Sequence, residues 1–371
     1  MEVTHNTSAN YAYKTWFDVM ASFSPEVKKY RLEDDGSYFI DPEVSADLTQ
    51  KKKSASIPKN KPFDKIHSKI ISKGGGTCRS ELYLDCLNVH KYYIHENEMK
   101  LELIRNSDEF LFIYDTDIKY QTTKERKYAL KLKKVELHYK IIKPSLEIKE
   151  KHDQLLRQGH NAMIPFCQTE LSHRVVHANS RNHQLYRIVN GPIIPRKVFV
   201  MFLSQDNFNG TVGTNPFLLE NFDVKDITFK WNTRSYPADR YNMKWTGANV
   251  QGILEPYHHF MDAIGVKNGN VTNGISLQKF MDFFPVFVFD RQPDACNGAH
   301  THIPESGYID IEIEFNEALD DPIIALFYSQ YDKILSWHRV AGKAGVDYPP
   351  KVSVLPNFDV KVNRKEEAVN F

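Results

Sequence analysis

From position 308 to 315, Ile309, Ile311, Ile313 and Phe315 alternate with Asp310, Glu312 and Glu314. Successive side chains of an extended chain point to opposite faces, so this two-residue period describes a strand with one apolar face packed and one carboxylate face in water. Such a strand needs neighbours for its N–H and C=O groups and an apolar layer over its inner face. Short apolar runs of similar kind recur at 185–189, 197–203, 227–231, 285–289 and 323–331. Turn-rich pieces separate them, which is how antiparallel strands of a sandwich read.

The first third of the chain repeats part of this pattern. Apolar runs at 82–87, 99–104 and 110–114 read as consecutive strands, and a longer strand follows at 130–141. There Leu130 and Leu132 hold even positions, whereas Val135, Leu137, Tyr139 and Ile141 hold odd ones, so a β-bulge around Lys133 and Lys134 is expected. Helical spacing is rarer. Tyr13, Trp16, Phe17 and Met20 share one helical face ahead of Pro25, and Tyr257, Phe260, Met261 and Ile264 share another ahead of Gly265. Residues 146–158 are rich in Glu, Lys and Leu, with Ser145 placed to cap the N-terminus and Gly159 to end the helix, so a helix linking two domains is expected there. Residues 28–76 carry Lys51, Lys52, Lys53, three prolines and Gly74, Gly75 and Gly76, a surface excursion by composition.

At about 150 residues per domain, 371 residues suit two or three compact units. Lys and Arg total 48 against 47 Asp and Glu, a net charge of +1, which excludes a protein working mainly by bulk neutralisation of phosphate. No run approaches the roughly 18 apolar residues of a membrane span, and the first residues lack the basic and apolar regions of a secretory signal. The chain therefore reads as soluble and not secreted. Cys78, Cys86, Cys167 and Cys296 form no C-x-x-C pair, so neither a zinc ribbon nor a disulfide framework is expected. The sequons at Asn6, Asn209 and Asn270 carry no weight without a secretory route.

Candidate chemistry is sparse. Asp294, Cys296, His300 and His302 could supply metal ligands, yet their spacing matches no closed zinc site, and a polar turn built on Asn297 and Gly298 accounts for them more simply. None of the four cysteines sits in a nucleophile elbow, and no G-x-S-x-G is present. Gly74 to Gly76 is followed by Thr77 and Cys78, not by the Lys of a phosphate loop. His258 and His259 read as surface or partly buried side chains. Lys119, Lys124, Arg126, Lys127, Lys131, Lys133 and Lys134, with Tyr120 and Tyr128 interleaved, could follow a nucleic-acid backbone, although a solvated basic hairpin is the commoner origin of such a run. No catalytic, cofactor-binding or metal residue is assigned, and the chain is not expected to be an enzyme.

Four blocks, 99–113, 135–152, 195–229 and 287–337, resemble in order and spacing the double jelly-roll major capsid proteins of Polinton (Maverick) elements and adintovirus-like viruses. Residues 3–23 resemble a segment that lies well inside the first jelly roll of that family. The resemblance implies an all-β double jelly roll, two tandem antiparallel β-sandwiches with a linking helix and long loops. It divides the chain into a first jelly roll at 1–143 that lacks its upstream part, a linker helix at 144–160, a second jelly roll at 161–340 and a loosely held tail at 341–371. Only four strands can be counted in the first unit, where a jelly roll has eight.

The resemblance further implies a structural protein of the virion, possessing no cofactor, that assembles with itself as homotrimers and neighbouring capsomers and with a penton or minor capsid protein around double-stranded DNA. Any contact of residues 119–134 with DNA is expected to be weak and without sequence preference. An endogenised relic of such an element would show the same features. With sheet edges left open, residues 1–371 alone are expected to be poorly soluble or to form irregular oligomers. Two other classes share the lack of catalytic signatures. A lectin-like sandwich module would show a signal peptide or aromatic loop tips, and a cupin-like enzyme would bring the 294–302 cluster together with a third ligand inside a barrel.

Overall fold

The structure is a computed structural model that describes residues 8–32, 78–89, 91–93, 101–111, 131–140, 142–210, 215–245, 251–266, 272–291, 293, 304–337 and 361–362. Eight strands dominate it: β1 (Ala162–Val176), β2 (Asn182–Gly191), β3 (Lys197–Ser204), β4 (Val224–Trp231), β5 (Arg234–Tyr236), β6 (Val286–Asp290), β7 (Gly307–Phe315) and β8 (Ile323–Trp337). They form two four-stranded sheets with orders β1-β8-β3-β6 and β2-β7-β4-β5, every pairing antiparallel. Strand 1 thus pairs with 8, 2 with 7, 3 with 6 and 4 with 5. The chain runs as one long hairpin wrapped so that successive pairs fall in opposite sheets, which is a complete eight-stranded jelly roll. The fold is all-β, with few helices.

The two sheets bury their faces differently. In β7 Ile309, Ile311, Ile313 and Phe315 point inward and are at most 2% exposed, as the alternation predicts. Its carboxylates face out and meet cations from β4: Lys225 Nζ lies 2.6 Å from Glu314 and Lys230 Nζ 2.5 Å from Glu312. The β3 strand is buried on both sides. Phe202 meets Phe287 and Phe315 between the sheets, whereas Phe199 points outward and is still 2% exposed.

What covers that outer face is helix α1 (Ser8–Ser22). Its apolar stripe of Tyr13, Trp16, Phe17 and Met20 joins the main core. The Phe17 ring sits 4.6 Å from Tyr328, 5.2 Å from Phe199 and 6.1 Å from Phe284, centroid to centroid. Trp16 packs on Phe217 and Phe284. The sheet is therefore the middle layer of three, which is why β3 and β6 read as continuous apolar runs instead of alternating ones.

Helix α2 (Leu146–Arg157) falls where a helix is expected at 146–158. Ser145 caps it, its hydroxyl accepting the Ile148 N–H, and Gly159 follows with φ +86°. Helices α3 (Leu254–Ala263) and α4 (Leu277–Asp282) sit between β5 and β6, with Ser276 capping α4.

The first third differs from the sequence reading. Residues 82–84 and 131–140 carry no strand, 85–87 form a turn, and Asp108–Leu111 is one helical turn, so the strands expected at 82–87 and 130–141, with the bulge at Lys133 and Lys134, are not formed there. Of the 99–104 run, residues 101–104 are described, and among these Glu102–Leu103 is extended, pairing in parallel with Lys361–Val362. Period-two sequences become strands only when a neighbour supplies the other half of each ladder, and among the described residues none does so for 131–140. Val135 and Tyr139 stay exposed. Most of the 28–76 excursion, the glycine run and most of the tail lie outside the described residues.

Candidate functional site

The candidates drawn from sequence do not converge. Asp294, Cys296, His300 and His302 lie outside the described residues, as do 119–130 of the basic run, whereas Lys131, Lys133 and Lys134 are exposed. Among the described residues no group of three His, Cys, Asp or Glu side chains is placed to hold a metal ion, and no helix is long and apolar enough to cross a membrane. Cys86 is half-buried, and burial pushes its thiol upward, away from thiolate character. His258 is exposed. His259 is half-buried, with the Tyr236 hydroxyl 3.0 Å from Nε2 and the Tyr241 hydroxyl 3.1 Å from Nδ1, and burial outweighs Glu255 and Asp262 to lower its pKa.

The densest polar arrangement lies where α1 meets the sheet. Residues 83–89 and 91–93 lie along the edge of β1 that no strand pairs with among the described residues. Tyr83 packs with Val19, Leu32 and Phe23 on one side, while Cys86, Val89 and Tyr93 pack on Ile164, Phe166 and Leu335 on the other. Side chains of this segment satisfy edge groups of β1: Asp85 Oδ2 accepts the Thr169 N–H at 2.6 Å, and Lys91 donates to the Met163 carbonyl at 3.2 Å. Between the segment and the sheet, Lys14 of α1 is 2% exposed.

Its Nζ lies 2.6 Å from Asp18 Oδ2, 2.9 Å from Asp85 Oδ1 and 2.9 Å from the Tyr83 carbonyl. The second Asp18 oxygen accepts from the Tyr328 hydroxyl at 2.5 Å, and that hydroxyl is 3.4 Å from Thr169 Oγ1. One ammonium between two carboxylates carries a net charge of −1, which burial disfavours. Burial raises the Asp18 pKa against the opposing pull of Lys14. Burial alone would lower that of Lys14, but Asp18 and Asp85 together outweigh it and shift it upward.

A second buried amine closes the far end of α1. Lys28 Nζ donates to the carbonyls of Met20 at 2.8 Å and Asn273 at 3.0 Å, and the Asn273 amide donates to Ala21 O at 3.3 Å. These contacts satisfy C-terminal carbonyls of the helix and tie it to the loop before α4.

Sequence reasoning places α1 but misses this seam. The i,i+4 spacing of Lys14 and Asp18 is a visible signal. Nothing in the sequence associates either with Asp85.

The chain matches no family model. It is similar to an uncharacterised protein of Caenorhabditis elegans, 19% identical over 340 residues that make up 90% of this chain and 74% of that protein. Among solved structures, a chain of the Sputnik virophage overlaps 47% of this chain with a TM-score of 0.27 and 14% identity, and the capsid of the virus PBCV-1 overlaps 51% with a TM-score of 0.28 and 9% identity. This chain spans 37% and 52% of those two chains.

Proposed function

We propose that this chain is a structural major capsid protein of the double jelly-roll kind, a building block of an icosahedral shell around double-stranded DNA, from a Polinton-like virus or transposable element or its endogenised relic. The observation that carries the reading is the three-layer packing. A complete jelly roll has one charged, wet sheet and one sheet whose outer face is covered by a segment from before the linker helix. A sandwich built to stand beside a second unit needs that covered flank, and a shell protein needs rigidity and long loops, not an active site.

In this reading residues 1–143 belong to a first jelly roll, 144–160 link the units and 341–371 form a tail. The partners are two further copies in a pseudo-hexagonal trimer, neighbouring capsomers, and a penton or minor capsid protein. Contact of 119–134 with DNA is weak and salt-sensitive. The location is the virion, with assembly inside the cell.

Two observations test this. Genes for a packaging ATPase, a protease and a penton protein are expected beside its locus. Light scattering after size exclusion, with electron microscopy, is expected to find trimers of hexagonal outline in the intact protein. A monodisperse monomer, together with a locus lacking those genes, would refute the proposal.

A further inference from the structure

The Lys14, Asp18 and Asp85 trio holds the parts of a self-acylating centre in the order such chemistry needs. From this geometry we infer that Lys14 and Asp85 form an intramolecular isopeptide bond, with Asp18 as the proton carrier, stapling α1 to the segment that seals the edge of β1. The nucleophile Nζ stands 2.9 Å from Oδ1, the oxygen that would leave. The other oxygen, Oδ2, accepts the backbone N–H of Thr169 at 2.6 Å, so a donor already points at the atom where negative charge develops when the amine adds to Cγ. Asp18 Oδ2, 2.6 Å from Nζ, is within reach to take its proton, and the Tyr328 hydroxyl holds the opposite oxygen of Asp18 in place.

The balance closes without a co-reactant. In the net neutral trio burial keeps the one extra proton on Asp18, and Lys14 is an ammonium beside Asp85. Nζ passes one proton to Asp85 Oδ1, and the free amine attacks Cγ. Asp18 gives its proton to the Oδ1 hydroxyl, the Cγ–Oδ1 bond breaks, and water departs. The nitrogen gives its surplus proton to Asp18, leaving a neutral amide and a carboxylic acid. Burial favours this outcome, because an ion pair is replaced by neutral groups in a site where Lys14 is 2% exposed. It also excludes bulk water, the competing nucleophile. Lys14 and Asp85 are far apart in sequence, so the bond closes a long covalent loop and restricts the unfolded chain.

The test is intact mass spectrometry of the full chain, purified and incubated folded. The expected mass is lower than the sequence mass by one water. Trypsin should then yield one branched species joining residues 1–28, uncut after Lys14, to residues 80–91. Full sequence mass after prolonged incubation would overturn the inference, and so would a water loss that maps to Asp35–Gly36, where a succinimide forms with the same mass change. Lys14→Arg should show the full mass. Asp18→Asn, with folding checked by circular dichroism, should also stay unlinked; a bond that forms at the wild-type rate in it would remove Asp18 from the mechanism.

Discussion

Replacing Phe17 by Ala tests whether α1 is an integral layer of the domain. Phe17 is 2% exposed and wedged among Phe199, Phe284 and Tyr328, on the side of the sheet away from the second sheet. A fully buried aromatic side chain removes on the order of 150 Å² or more from water. At about 25 cal/mol per Å² that is roughly 4 kcal/mol, in line with the ~3–5 kcal/mol measured for Phe→Ala changes in cores. Against a total stability of about 5–15 kcal/mol this is a large share. Urea unfolding followed by far-ultraviolet circular dichroism and tryptophan fluorescence would measure it, with Trp16 reporting from the same interface. Phe202→Ala, whose ring lies between the two sheets, is the control and should cost a similar amount. A helix that merely rests on the surface would lose less than about 0.5 kcal/mol. A value that small for Phe17→Ala, beside a large one for Phe202→Ala, would refute the three-layer argument.

Two further perturbations address α2 and the wet sheet. Ser145→Ala removes the oxygen that accepts the Ile148 N–H; a cost of about 1 kcal/mol is expected, read as faster amide exchange in the first turn of α2, and unchanged exchange would remove the cap from the account. Glu314 is held below the usual carboxylate range chiefly by its hydrogen bond from Lys225, reinforced by the charges of Lys225, Arg240 and Arg181. A folded pKa below the unfolded one gives stability that is present above the unfolded value near 4.3 and is lost as pH falls through the folded one. Lys225→Met should therefore cost up to about 1 kcal/mol at neutral pH, with the gap closing in acid; a gap that persists once Glu314 is protonated would contradict the assignment.

Local periodicity made much of the eight-stranded sandwich legible. The alternation from Ile309 to Phe315, the cap at Ser145, the stop at Gly159 and the four-residue stripe of α1 each express a rule acting within a few residues, so the sequence alone determines them. β1 escaped notice because Pro165 interrupts it, and Pro is tolerated there only since β1 lies at a sheet edge, a fact of strand order. The converse error came at 131–140. Its alternation is as regular as that of many strands, yet a ladder needs a second chain segment, and the pattern of one segment carries no information about the other. Tertiary structure also decided that β3 is buried on both faces, because an apolar run does not say what covers it. It alone brought Lys14 to Asp85, since the seam depends on which edge the 83–93 segment seals and which face α1 covers. Burial can be read from a run of residues, but pairing across the fold depends on long-range contacts that each segment encodes only in part.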